Sequence, residues 1–226
     1  KRVLNGDIGT LVCGEAFNHA GGPGPIDADD SDPEFRLQHW GRYRATSGDF
    51  ITEQAVHALD MAAWFVDADP LEAEGRGGRK ARVGKGDNYD HFSVRYAFPG
   101  DVLLTFSGTQ VTRAVPGGYE IAARWFGSRG LVDTLYNGPV TIRGEIPFRG
   151  GETGNLYTEG AVANIKDFAE LVRARDASNP TVVPSVKSTL VTVLGRMAAY
   201  RRSVVTWGQM MEEKERLDPK LGGLKG

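Results

Sequence analysis

Cysteine is nearly absent from this chain. Cys13 stands alone among 226 residues, which excludes an internal disulfide and an all-cysteine metal site. Net charge is equally scant. Lys plus Arg (27) almost cancel Asp plus Glu (29), so no general pull toward nucleic acid or an anionic membrane follows. No apolar run approaches the roughly 20 residues of a membrane-crossing helix. No signal peptide is visible, and the expected location is cytoplasmic, with the periplasm left open. The chain opens on Lys1 rather than Met, and further residues are expected upstream. A G-x-G-x-x-G fingerprint between a strand and a helix is missing too; Gly75-Arg76-Gly77-Gly78 lies within strand-like sequence.

What is present suits a soluble globular domain. Apolar residues make up 40% and charged residues 25%, enough to bury a sizeable core. Residues 8–18 read as a strand entered through a Gly-rich turn, with Cys13 as a small strand residue. Residues 19–39 read as a loop holding Gly21-Gly22-Pro23-Gly24-Pro25 and the acids Asp27, Asp29, Asp30 and Asp32. A loop of that length is usually functional or disordered, and an acidic run is usually a solvated surface.

Residues 47–64 read as one helix, capped by Ser47 or Asp49, with Ile51, Ala55, Leu59, Ala62 and Val66 as its core stripe. From 71 to 143 the period is two, with strand character near 71–83, 90–98, 101–111, 118–126 and 130–143. Pro99-Gly100-Asp101, Pro116-Gly117-Gly118 and Asn137-Gly138-Pro139 separate them and imply antiparallel neighbours. Tyr119, Trp125 and Phe126 are expected in the sheet's core.

Residues 144–157 read as a second Gly-rich loop. Helices are expected at 158–174, with Val162, Ile165, Phe168, Ala169 and Val172 apolar, and at 185–201. A short extended piece at 204–206 and a helix over 207–215 follow, and the end from Pro219 is expected to fray. Strands in one block with helices around them give an α+β fold. The expected architecture is a single domain over 1–226, a predominantly antiparallel open sheet with helices covering one face. Its other face must be solvated or covered by a partner, and a homo-oligomer through that face is expected.

The chemistry concentrates on the helix at 47–64. Glu53, His57 and Asp60 sit at i, i+4 and i+7, within roughly 60° of one another at the helical period. Flanking carboxylates orient an imidazole and fix its tautomer, which is the apparatus for moving a proton near neutral pH. An ordinary solvated face gives the same spacing. A metal is not expected, because three ligands from one short helix face rarely close a coordination sphere. Asn18, Trp40, Arg42, Arg44 and Tyr157 supply the polar groups and flat faces that bind sugars. The alternative is that Trp40 staples the loop and the arginines are solvated.

Three further stretches complete a pattern. They are Ser47-Gly48-Asp49 leading into Glu53-Gln54-Ala55-Val56-His57-Ala58-Leu59-Asp60, the helix Ser185 to Ala198 containing Leu194-Gly195-Arg196, and Val205-Thr206-Trp207. With Ile8-Gly9 before the first strand and Asp90-His91-Phe92 in the sheet, their order resembles the C-terminal domain of the glucose–fructose oxidoreductase, inositol dehydrogenase and MocA family. The resemblance implies a two-domain oxidoreductase using NAD or NADP, acting on a sugar, polyol or related hydroxy compound. It places His57 where that family carries a histidine that assists a lysine in proton removal.

Glu53 stands where the family commonly has aspartate. The family's Glu-Lys-Pro motif is missing; Glu213-Lys214 is followed by Glu215. The resemblance therefore implies the substrate-binding half of an enzyme, inactive in hydride transfer alone, with the dinucleotide bound mainly by a missing N-terminal domain. A stand-alone carbohydrate-binding or assembly module without catalysis is the alternative.

Overall fold

Alternation along 91–110 builds the centre of the molecule. Phe92, Val94, Tyr96 and Phe98 are buried, as are Val102, Leu104 and Phe106, while Ser93, Arg95, Leu103 and Thr105 face away. The computed structural model describes residues 1–26, 29–111, 120–151 and 155–224. Its strands are β1 (Leu11–Ala20), β2 (Glu72–Gly78), β3 (His91–Phe98), β4 (Val102–Gln110), β5 (Glu120–Gly127), β6 (Gly130–Leu135), β7 (Val140–Gly144), β8 (Phe148–Gly150) and β9 (Val205–Thr206). They form one sheet in the order β8-β7-β6-β5-β1-β4-β3-β2-β9. Every pairing is antiparallel except β1 with β4, which run parallel.

The helices are α1 (Pro33–Gln38), α2 (Arg44–Ser47), α3 (Phe50–Glu53), α4 (Val56–Val66), α5 (Ala161–Ala174), α6 (Val182–Arg201) and α7 (Trp207–Glu213). Helices α4 and α6 pack on one face of the sheet. Ala58, Leu59 and Ala62 of α4 are fully buried there, and the indole of buried Trp125 donates to the Ala62 carbonyl at 3.0 Å. A Cβ on Gly195 would lie 2.0 Å from the Tyr96 hydroxyl, so this glycine lets α6 settle onto β3. The opposite face is crossed by ion pairs, with Arg124 between Glu15 and Asp133, Arg143 on Asp133, and Arg95 on Glu74.

The α+β class and the mainly antiparallel open sheet agree with the sequence pattern. Several finer expectations are corrected. The stretch 130–143 is two strands. Strand β1 inserts between β4 and β5, so the hairpin expected there is not a neighbouring pair; alternation fixes which face a residue takes but not strand order. The loop at 19–39 is shorter, because β1 runs to Ala20 and Pro33–Gln38 is helical, with Asp32 accepting from the Glu34 amide at 2.9 Å. The helix at 47–64 is broken twice, at Gly48 (φ 77°) and at Gln54–Ala55.

In α5 the apolar stripe exists but lies exposed. Phe126 is only partly buried, because its side chain leaves the opposite face of the strand from Trp125. The tail is tied at its start, where the Arg36 Nε donates to the Pro219 carbonyl at 3.1 Å. Asp27, Tyr119 and the turn Pro116-Gly117-Gly118 lie outside the described residues.

Candidate functional site

The parallel pair fixes where a site can form. Strands β1 and β4 both end at one edge of the sheet, at Ala20 and Gln110. Strands β3 and β5 begin there, and β6 ends there. In open α/β sheets ligands bind beyond the carboxyl ends of parallel strands, and here the parallel pair brings two such ends together in an otherwise antiparallel sheet. On the helix-covered face this edge presents Asn18 from β1 and Gln110 from β4, with the α3–α4 break above it.

That break is built locally. Asp49 takes a positive φ of 70° and caps α3, accepting from the Phe50 amide at 2.6 Å. The Ala55 amide reaches back five residues to Phe50, at 2.9 Å, and the His57 amide bonds Gln54 at 3.3 Å. The helix restarts at Val56, so Glu53 and His57 do not share one regular helix face. Both are exposed. The His57 ring packs against Tyr136, with centroids 4.8 Å apart and planes at 32°. Tyr136 follows β6, held by its amide on the Ile121 carbonyl at 2.9 Å. Burial, with the Tyr157 hydroxyl beside it contributing, pushes the Tyr136 phenol pKa up. His57, Tyr136 and Tyr157 therefore form one aromatic cluster. Tyr157 itself is 73% exposed.

Next along the edge lies an amide cluster. Asn18 is fully buried, and among the described residues neither its oxygen nor its nitrogen has a partner. An unpaired buried polar group costs about 1–3 kcal/mol, so this carboxamide carries unused donor and acceptor capacity. Beside it the Gln110 amide donates to Gln54 and accepts from the Arg82 guanidinium. Burial lowers the Arg82 pKa, the acids Asp49 and Asp90 offsetting part of this.

The remaining sequence candidates fall elsewhere or act structurally. Asp60 accepts from Ser188 on α6 and ties α4 to that helix. Among the described residues neither Glu53 nor Asp60 hydrogen-bonds the His57 ring. Arg42 is buried and donates to the Gly24 carbonyl at 2.7 Å, holding the 22–25 turn. Arg44 lies over the Tyr200 ring at 4.4 Å, and Trp40 is nearly half exposed with its carbonyl bound by Thr46. Among the described residues no hydrogen bond or ring contact joins Trp40 or Arg44 to His57.

The other histidines are engaged apart from the site: His19 with Glu120 and Ser107, His39 with Phe35, and His91 with Asp90. Gln54, Gln110, Arg82 and Tyr136 were not legible as site residues. For Gln110 one signal existed, since it continues the i, i+2 series Leu104, Phe106, Gly108 as the first polar side chain at the strand's end.

The described residues do not fit a dinucleotide. Gly75, Gly77 and Gly78 lie within β2, paired antiparallel to β3, and a Cβ at Gly75 or Gly77 would meet a β3 carbonyl oxygen within 2.8 Å. These glycines serve strand packing; they offer no helix N-terminus to a pyrophosphate.

The fold is shared with solved oxidoreductases. Levoglucosan dehydrogenase, in complex with NADH and levoglucosan, superposes with a TM-score of 0.68 at 16% identity, covering 92% of this chain and 62% of that one. An oxidoreductase from Agrobacterium radiobacter, in complex with NAD+, L-tartaric acid and magnesium, gives 0.64 at 15%, covering 92% and 60%. A myo-inositol dehydrogenase from Corynebacterium glutamicum gives 0.57 at 20%, covering 91% and 59%. The chain thus spans about 60% of the length of these structures. No curated protein matches it. Residues 1–133, more than half of the chain, match the GFO/IDH/MocA C-terminal domain, and the chain belongs to that family.

Proposed function

We propose that this chain is the substrate-binding half of an NAD- or NADP-dependent oxidoreductase acting on a sugar, polyol or related hydroxy compound. The observation that carries the reading is the sheet edge where His57 stands over Tyr136 and the unpartnered Asn18 amide is buried nearby. Asn18 would hold one hydroxyl and His57 would take or return the proton of another. Tyr136 positions the imidazole by ring contact, Asp60 fixes its helix through Ser188, and exposed Glu53 is free to bind a further hydroxyl. Tyr157 closes the aromatic side.

The nicotinamide chemistry is assigned to a domain outside this chain, since the described residues form no dinucleotide cradle. That assignment agrees with α5, whose exposed stripe Val162, Ile165, Phe168 and Val172 continues from the Tyr157 turn. Assembly through the open sheet face is part of the proposal.

The test is turnover by the chain joined to its dinucleotide-binding domain. His57→Ala should lower kcat by about 10²–10⁴-fold. Unchanged turnover across pH would remove His57 from the chemistry and favour a binding module.

A further inference from the structure

We propose that Arg82, beside Gln110, is the recognition point for a carboxylate on the ligand, so that the ligand is a sugar acid or related hydroxy acid rather than a neutral polyol. The proposal rests on the substrate-site reading above and names its substrate class.

Arg82 is held in place by its backbone. The Asp90 carboxylate accepts the amides of Lys80, Ala81 and Arg82 at 2.7, 2.7 and 2.8 Å. This pins the turn against the carboxyl end of β4. The guanidinium, however, has no acid of its own. Asp90 is engaged by those amides and by the His91 ring at 2.7 Å. Asp49 is engaged by the amides of Phe50 and Tyr89 and by the Tyr200 hydroxyl. Among the described residues Arg82 enters no ion pair. Its Nη2 donates to the Gln110 side-chain Oε1, while among the described residues Nε and Nη1 are shielded from solvent and unpartnered.

The surroundings sharpen the need for an anion. Arg79 and Arg42 lie near enough to disfavour the Arg82 charge, and Arg42 has an unpartnered, solvent-shielded Nη1 of its own. A cavity of about 180 Å³ opens at Arg82 and Gln110, walled by residues 22–25 and 81–83. Arg82 is half-buried with two guanidinium nitrogens out of water, and a cation so placed is favoured by pairing and hydrogen bonding with an anion. A carboxylate supplies both, with charge-assisted bonds that a hydroxyl lacks. A phosphate dianion suits the place less well, because Asp49 and Asp90 also act electrostatically on this guanidinium. Arg82 is linked through Gln110 to Gln54, three residues before His57, which puts the acid end and the proton-moving end on one edge of the sheet.

The experiment follows the Arg82 Nε–H resonance of the full chain during titration with D-gluconate, D-galacturonate, D-glucitol and glucose 6-phosphate. The two acids should shift it and glucitol should not. In Arg82→Met, acid affinity measured by calorimetry should fall by at least about tenfold, and Arg82→Lys should recover part of it. No response to either acid up to the solubility limit, an equal response to glucitol, or a response to the phosphate alone overturns the proposal; the wild-type resonance decides even if a variant folds poorly. The two readings fail separately. Acid binding at Arg82 with normal turnover in His57→Ala would sink the catalytic reading only. Loss of turnover in His57→Ala with no acid response at Arg82 would sink this one only.

Discussion

Helices α4 and α5 carry similar apolar stripes and meet opposite fates. In α4, Ala58, Leu59 and Ala62 lose all contact with water against β1 and β5, and Trp125 bonds the helix backbone. In α5 no residue is buried, and Val162, Ile165 and Phe168 stay about two-thirds exposed. Its main packing partner is the turn Leu156–Gly160. Periodicity alone specifies a helix with one greasy side; only the sheet supplied by the same chain decides whether that side is covered. The α4 half is self-sufficient, while the α5 stripe is left uncovered by the described residues; under the proposed function the dinucleotide-binding domain would cover it.

Mutation of matched positions is the most forceful way to break this contrast. Leu59→Ala should destabilise the isolated chain by about 2–5 kcal/mol through lost transfer energy and a residual cavity, read by urea unfolding. A cost near zero would mean that α4 is not the packed helix described here.

Acid should expose the next difference. Burial alone would raise the Asp90 carboxyl, but the backbone amides of residues 80–82 and the His91 ring outweigh it and hold the pKa down at about 2, against an ordinary 3.8. A depressed carboxylate contributes stability that is complete above its unfolded value and is lost as pH falls through the folded one. The turn bearing Arg82 should therefore contribute about 2 kcal/mol at neutral pH and lose it between roughly pH 4 and pH 2. Asp90→Asn should remove this increment and flatten that part of the acid unfolding curve, while α5 signals stay unchanged.

These contrasts show how far the chain could be read before its structure. The core faces of β3, β4 and α4 were legible because their partners are local and the alternation is clean. Trp125 declared itself for the same reason. The insertion of β1 between β4 and β5 was not legible, because no residue of β1 encodes its neighbour. The helix break beneath His57 was missed, since Gln54-Ala55 contains neither Gly nor Pro. Arg42 and Arg44 were read as sugar ligands or solvated side chains from their types alone; their contacts with the Gly24 carbonyl and the Tyr200 ring were not legible, because both partners are remote in sequence. The stripe in α5 was legible as an apolar helical pattern, but its exposure was not, since a pattern does not say what covers it.

A smaller effect tests the tie between α4 and α6. Ser188→Ala removes the donor to Asp60 and should cost about 1 kcal/mol. Because Asp60 shares α4 with His57, the holoenzyme should also lose kcat with KM nearly unchanged, as expected of a positioning contact. Lost stability with unaltered kcat would confine this pair to structure.

The smallest expected effect discriminates best. Phe168→Ala in the isolated chain should change unfolding free energy by no more than about 0.5 kcal/mol, since the ring already faces water. Amides of α5 should exchange with solvent through local opening, well before those of α4. Once the dinucleotide-binding domain is joined, the same substitution should cost about 3 kcal/mol or more, because the ring then fills an interface, and α5 exchange should slow. If Phe168→Ala is neutral in both settings, that domain does not cover α5, and the exposed stripe belongs to another contact. If it is costly in the isolated chain, α5 packs on its own sheet in solution and the distinction between the two helices fails.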